Sequence, residues 1–198
     1  MSNKNIKIVF IGEASVGKTS ICEMIKNKKF NNDIKPTIGV DFYTNIFDNI
    51  KIQIWDTSGQ KNFRFIIETY LRNSSLNILV FDLSDYDTFL SLDNFIKTLK
   101  KFNDSKIILV GNKADLISNI DYDEVEKYVE SNNLEYIEVS AKINLNIDYL
   151  KKMINDSLLF DIPIEDNSNN ENTKLLLNEK NEKNKKNKNL LCSCCSCF

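Results

Sequence analysis

The chain has 198 residues, enough for one well-packed domain and too few to argue for two. With 26 Lys and Arg against 28 Asp and Glu, its formal net charge of -2 gives no reason to expect nucleic acid as a main partner. Hydrophobic residues make up 42%, as in a globular protein, and the longest apolar runs, such as Leu76 to Phe81, fall far short of a membrane span.

Met1 to Ile6 are polar, unlike a signal peptide, and Ser2 stands where myristoylation needs Gly. Lys7–Ile11 is an apolar run that reads as a strand, and Lys18–Asn27 has helical spacing. Val40–Phe47 and Lys51–Trp55 are predicted strands; Asp48-Asn49 between them marks a tight turn and hence a hairpin. Leu76–Phe81 follows as a strand, then a helix over Thr88–Phe102, whose stripe of Phe89, Leu92, Phe95, Ile96 and Leu99 is expected in the core. The remaining elements are a strand at Ile107–Val110, a helix at Tyr122–Ser131, a strand at Leu134–Val139 and a helix at Ile147–Leu159. The alternation predicts an α/β fold over residues 1–160, with a mostly parallel six-stranded sheet flanked by helices on both faces. Residues 161–198 are expected to form a flexible tail, because Glu165 to Asn189 is dominated by Asn, Glu and Lys and cannot bury enough surface to offset its ordering entropy. Cysteine use is lopsided: Cys22 stands alone, while Cys192, Cys194, Cys195 and Cys197 crowd the end. That is not a disulfide framework, so a reducing, cytosol-facing location is expected.

Three motifs carry chemistry. Gly12-Glu13-Ala14-Ser15-Val16-Gly17-Lys18-Thr19 lies between a predicted strand and a predicted helix, the setting a phosphate-binding loop requires. Glycines let the backbone curl so that its N–H groups face phosphates. Lys18 can reach the β- and γ-phosphates, the Thr19 hydroxyl can ligate magnesium, and the helix points its positive end at the anion. Next, Asn112-Lys113-Ala114-Asp115 follows a buried strand at the edge where open parallel sheets bind ligands. A carboxylate there accepts from the ring N–H and the exocyclic amine of guanine, whereas adenine presents the opposite pattern. Ser140-Ala141-Lys142, after another strand, can close the base pocket from the other side. Finally, Trp55-Asp56-Thr57-Ser58-Gly59-Gln60 ends a strand. It offers Asp56 to the magnesium shell, the Gly59 N–H to a γ-phosphate and Gln60 to orient a hydrolytic water.

The ordered set GEASVGKT, PTIGVDF, WDTSGQ, GNKAD and SAK resembles the Ras-like small GTPase superfamily over about residues 6 to 160. The segments around Ile38-Gly39-Val40-Asp41-Phe42, Lys51 to Trp55 and Tyr70 to Ser74 are similar to its Rab branch. The resemblance implies a monomeric switch that binds GTP or GDP with Mg2+ and hydrolyses GTP slowly, using Gln60 and Lys18. Nucleotide contacts are implied for Gly12, Ala14, Ser15, Val16, Gly17, Lys18, Thr19, Ser20, Phe30, Thr37, Gly59, Asn112, Lys113, Asp115, Ser140, Ala141 and Lys142. Thr19, Thr37 and Asp56 are implied for the metal, with Thr37 meeting it only in the GTP state. Phe42, Trp55 and Tyr70 match the aromatic triad through which Rab proteins meet effectors. Expected partners are effectors, an exchange factor, an activating protein and a prenyl-chaperone protein. Expected action is effector recruitment in vesicle trafficking.

Three departures from the family pattern stand out: Ser58 for the usual Ala, Lys61-Asn62 for Glu-Arg, and Phe65 for a small polar residue. Lys61 reverses the charge that helps hold the phosphate-loop lysine during exchange, which implies an abnormal response to an exchange factor. The alternative reading is a GTP-binding scaffold with impaired hydrolysis. At the terminus, Cys195-Ser196-Cys197-Phe198 occupies the position of a prenylation box, with Rab-style double prenylation at Cys195 and Cys197 as the other option. Upstream Lys183, Lys185, Lys186 and Lys188 would add attraction to anionic lipid. These signals predict the cytoplasmic face of an intracellular membrane, with cycling to the cytosol.

Overall fold

The computed structural model describes residues 6–27, 29–47, 50–102 and 105–159. Six strands form one sheet: β1 (Ile6–Ile11), β2 (Val40–Phe47), β3 (Ile50–Thr57), β4 (Leu76–Asp82), β5 (Lys106–Asn112) and β6 (Glu135–Glu138), ordered β2-β3-β1-β4-β5-β6. The β2–β3 pair is antiparallel and every other pairing is parallel, as expected. The Asp48-Asn49 turn itself lies outside the described residues, although Phe47 pairs with Ile50 on either side of it.

Side-chain alternation divides the core into two layers. Ile8, Phe10, Ile52, Ile54, Ile78, Val80, Ile108 and Val110 face one way. They pack against Ile21 and Ile25 of α1 (Lys18–Asn27) and Leu150, Ile154 and Leu158 of α6 (Ile147–Leu159). Val9, Ile11, Leu79, Phe81 and Leu109 face the other way, against α2 (Arg64–Leu71), α4 (Leu92–Phe102) and α5 (Tyr122–Asn132). Central strands buried on both faces explain the near-continuous apolar runs of β1 and β4.

Two helical features differ from expectation. The segment predicted as one helix over Thr88–Phe102 is two, α3 (Tyr86–Leu90) and α4, divided at Ser91. Asp85 caps α3 by accepting from the Asp87 N–H, and the Ser91 hydroxyl donates back to the Thr88 carbonyl at 2.8 Å, a local bond that competes with helix continuation. The whole predicted stripe is nonetheless buried, because both pieces lie on the same layer. The helix over Arg64–Leu71 has no counterpart among the expected elements. Its preceding residue, Phe63, makes no side-chain cap bond and its first turn has no acid, so the usual start signals are missing. Burial of Ile67 and Leu71 on β1 and β4 stabilises it instead.

Candidate functional site

β1 is the point where the sheet order reverses, with β3 on one side and β4 on the other, so a crevice is expected beyond its carboxyl end. A cleft of about 350 Å³ opens there, lined by residues including Ala14, Ser15, Lys18, Phe30, Thr37, Gly59 and Gln60. Ile11 ends β1 and Lys18 begins α1, so the loop between them must reverse the chain within six residues. Ser15 and Gly17 both take positive φ, at 64° and 92°. At Gly17 a Cβ would strike the Asn112 amide, and at Gly59 one would strike the Glu13–Ala14 peptide, so only hydrogen fits either place. The close approach of Gly59 brings the segment after β3 directly against the loop.

Lys18 is buried, and its ammonium donates to the carbonyl oxygens of Gly12 at 3.0 Å and Glu13 at 2.6 Å. Burial pulls its pKa down to about 8, against the stabilising charge of Asp56. Val16 is buried beneath the loop, while Ser20 lines the cleft from the first turn of α1. Phe30 is half-buried, packed against the core layer under α1 and facing the cleft.

Thr19 from α1, Thr37 ahead of β2 and Asp56 near the end of β3 converge. The two hydroxyl oxygens lie 2.9 Å apart, and Asp56 Oδ2 accepts from Thr19 at 2.6 Å and from Thr37 at 3.4 Å. Asp56 Oδ1 is buried and accepts no hydrogen bond. A buried carboxylate with an unsatisfied oxygen beside two hydroxyls is a costly arrangement that an oxygen-seeking divalent cation would relieve. These residues therefore fit magnesium.

The same burial raises the Asp56 pKa to about 6, with Thr19 and Lys18 opposing and Asp41 adding to the rise. An acid whose pKa is raised on folding contributes most below its unfolded pKa, near 4, and that contribution is lost as pH rises through about 6. In metal-free protein, Asp56→Asn is therefore expected to stabilise the fold at pH 7 by up to about 3 kcal/mol, since each tenfold change in a proton-binding equilibrium is worth about 1.4 kcal/mol. The gain should vanish near pH 4. Urea denaturation of both proteins in chelator, at pH 7 and pH 4, measures the two gaps; a gap that widens on acidification refutes the assignment.

The segments on either side of the cleft are joined. The Ser58 N–H donates to the Gly39 carbonyl at 2.8 Å, linking the residues after β3 to those before β2. Gln60 is half-buried; its N–H donates to the Ser58 hydroxyl at 3.3 Å and its carbonyl accepts from the Phe63 N–H at 3.0 Å. Gly39, with φ of 75°, and Ser58 were not among the expected site residues, since the signal is a bond between distant segments. Lys61 is exposed and borders a separate groove together with Glu13, Asp85 and Asp87. Lys18, by contrast, is enclosed by the loop.

The base-end motifs stand on the carboxyl ends of β5 and β6. Asn112 is buried, donating to the Val16 carbonyl at 2.8 Å and accepting from the Ala141 N–H at 3.3 Å. Its amide is a tether between two loops, a role not expected from its motif. Lys113 adopts a φ of 65° and pairs with buried Asp82, another residue that the motifs do not single out. Asp115 Oδ1 accepts from the Ser140 hydroxyl at 2.6 Å, and Lys142 approaches Oδ2 at 3.6 Å. The Ser140 bond, with help from Lys142, holds the Asp115 carboxyl below the usual carboxylate range, so it is ionised at neutral pH. The structure thus brings together the Asn112–Asp115 and Ser140–Lys142 motifs, and ties both to the phosphate-loop candidate through Asn112. Cys195 and Cys197 lie outside the described residues.

Residues 7–159 match the Ras family. The chain is 38% identical over 150 residues to the Ras-related protein Rab-2B of Dictyostelium discoideum, across 72% of this chain and 74% of that protein. A mostly parallel sheet with a glycine-bearing loop at its switch point and two such agreements allow a plain conclusion: the chain belongs to the Ras family of small GTPases, is Rab-like within it, and hydrolyses GTP.

Proposed function

We propose that this chain is a Rab-type switch that, loaded with GTP, recruits effectors to the cytoplasmic face of an intracellular membrane in vesicle trafficking. The observation that carries the reading is a run of three rings in tilted contact that joins β2, β3 and α2. Phe42 of β2 lies 4.7 Å from Trp55 of β3, which lies 5.0 Å from Tyr70 of α2. β2 follows Thr37, and α2 follows Gln60, so a change in either cleft segment alters the surface these rings present.

In this reading the N–H groups of Ala14 to Ser20 and the Lys18 ammonium bind the phosphates of GTP. Thr19, Thr37 and Asp56 would hold magnesium, which would supply positive charge to offset that of the phosphates. Gly59 and Thr37 report the γ-phosphate, and Gln60 orients the attacking water. Phe30 packs on the base, Asp115 accepts its N–H groups, and Lys113, Ser140, Ala141 and Lys142 complete the pocket. An exchange factor, an activating protein and a prenyl-chaperone protein drive the cycle. Capture of a partner by the chain loaded with a GTP analogue, but not with GDP, tests the switch; equal capture in both states removes it.

Membrane residence in this scheme needs two signals, since a single acyl chain of myristoyl length binds with a constant of only about 10⁴ M⁻¹. Cys195 and Cys197 are the proposed prenyl acceptors, with the upstream lysines as the second anchor. Changing both cysteines to Ser is expected to move the protein wholly to the soluble fraction while GTP binding is retained. Fractionation of a tagged chain, with mass spectrometry of its terminus, checks this; an unmodified terminus on membrane-bound protein sinks the lipid anchor.

A further inference from the structure

We propose that a pocket behind the magnesium candidates, between α1 and β2, binds a small organic cation through a primary ammonium group, and that its occupant opposes magnesium. The pocket holds about 220 Å³. Its α1 wall is formed by Thr19, Cys22, Glu23 and Lys26, spaced i, i+3, i+4 and i+7 and so on one side of the helix. Its sheet wall includes Asp41 and Tyr43 of β2 and Asp56 of β3, which strand alternation and register direct toward α1. Thr19 is the residue it shares with the nucleotide cleft. Thr37 lines the cleft and not this pocket, whereas Asp56 lines the pocket and not the cleft. The two openings therefore approach Asp56 from different sides.

The inner end of the pocket is short of hydrogen-bond donors. Asp56 is 1% exposed, and its Oδ1 has no hydrogen-bond partner. The Tyr43 hydroxyl is also buried, with only the neighbouring Cys22 thiol, a weak partner, against it. Two underused oxygens at the end of one pocket cost free energy that a donor-bearing occupant recovers. The charge around them is negative. Among the lining residues, Glu23, Asp41 and Asp56 stand against Lys26.

These features select an organic cation over a metal ion. Among the described residues, no three of His, Cys, Asp or Glu are grouped so as to hold a metal. An ammonium needs no such convergence: it brings three donors, and Asp56 Oδ1 and the Tyr43 oxygen can take two of them. The Tyr43 ring already faces a cation, since the Lys26 ammonium stands 5.3 Å from its centroid. An aromatic face beside carboxylates is a setting in which organic ammonium groups bind. Lys26 is exposed at the mouth, so it can swing outward as an amine enters. Asp56 is also where the metal candidates meet, through Oδ2, which accepts from Thr19 and Thr37. A second positive charge at Oδ1 lowers the affinity for the first, and by linkage the effect is mutual. This antagonism rests on the magnesium reading of Thr19, Thr37 and Asp56; the binding of an amine does not.

The probe is benzylamine, with benzyl alcohol as its uncharged control, each titrated calorimetrically into the full chain loaded with GDP. In chelator, benzylamine is expected to bind with a dissociation constant of about 1 mM or below, and benzyl alcohol not to bind measurably. Tyr43→Phe and Glu23→Gln should each weaken the amine roughly tenfold, the first by losing an acceptor and the second a negative charge. Lys26→Gln should tighten it about threefold, since it removes a competing cation. Saturating magnesium should weaken it roughly tenfold, within the usual range of coupling between sites. None of the three substituted residues lines the nucleotide cleft, so affinity for a fluorescent GDP analogue should be unchanged in the variants. Failure of benzylamine to bind, equal binding of benzyl alcohol, or indifference to both Tyr43→Phe and Glu23→Gln overturns the site. If a lysine-bearing peptide binds with those sensitivities while free amines do not, the pocket belongs to a partner protein and the proposal fails. Amine binding untouched by magnesium overturns the antagonism if magnesium still slows GDP release, and removes the metal reading if it does not.

Discussion

Asp115→Asn is expected to exchange the nucleotide preference of this protein from GTP to xanthosine triphosphate. The carboxylate is ionised, held by the Ser140 hydroxyl at 2.6 Å, and faced by Lys142 at 3.6 Å, so it is a fixed pair of acceptors. Guanine offers such a pair two N–H donors, one on the ring and one on its exocyclic amine. An amide at this position replaces one acceptor by a donor, leaving an N–H against the guanine amine. Xanthine carries a carbonyl where guanine carries that amine, which restores the match. Sites that hydrogen-bond a ligand group reject an analogue lacking it by roughly 10⁴- to 10⁵-fold, and the preference should move by about that ratio. The Ser140 bond can persist, because the amide keeps one carbonyl oxygen, so the loop itself should hold its shape. Competition of both triphosphates against a fluorescent guanine nucleotide measures the ratio. Unchanged GTP affinity in the variant would place the base elsewhere.

Gln60→Leu is expected to leave GTP bound and slow its hydrolysis, most visibly with an activating protein present. The backbone of Gln60 is anchored on both sides, by Ser58 and Phe63, and the residue lines the cleft opposite Lys18 and Thr37. A side-chain amide fixed at its root can donate to and accept from a single water, which leucine cannot. Loss of one positioning or charge-stabilising group of this kind costs roughly 10²- to 10³-fold in rate. Single-turnover hydrolysis by both proteins, with and without the activating protein, gives that ratio directly. Equal rates would take Gln60 out of the reaction and favour the scaffold reading suggested by Ser58, Lys61 and Asn62. The backbone anchor also bears on Ser58: its hydroxyl, absent from the family's usual alanine, is the group that accepts the Gln60 N–H.

The sequence by itself determined the succession of six strands, the mostly parallel sheet, and the three motifs on its carboxyl edge. These are local features. Apolar runs such as Leu76–Phe81 must be buried on both faces, and a glycine-bearing loop between strand and helix can serve few purposes other than anion binding. Local pattern also singled out Thr19, Asp56 and Asp115 as candidates, because each is a polar side chain at or just beyond the end of an element. What the tertiary structure alone decided depends on residues far apart in the chain. Asn112 became a tether because Val16, 96 positions away, offers its carbonyl beneath the phosphate-loop candidate. The helix over Arg64–Leu71 carries no start signal and is held by burial of Ile67 and Leu71 against strands that precede and follow it. The break at Ser91 arose from a three-residue hydroxyl bond that hydrophobic spacing cannot register, since both pieces keep the same buried stripe. Nor could composition reveal the basic outer face of β2, β3 and β1. A net charge of -2 averages over the chain, whereas strand register sorts Lys7 and Lys51 to one side of the sheet and Asp41 and Asp56 to the other. Side-chain parity within a strand is local, but which strands lie together, and which of their faces is left without a helix, is settled only when the whole sheet has formed.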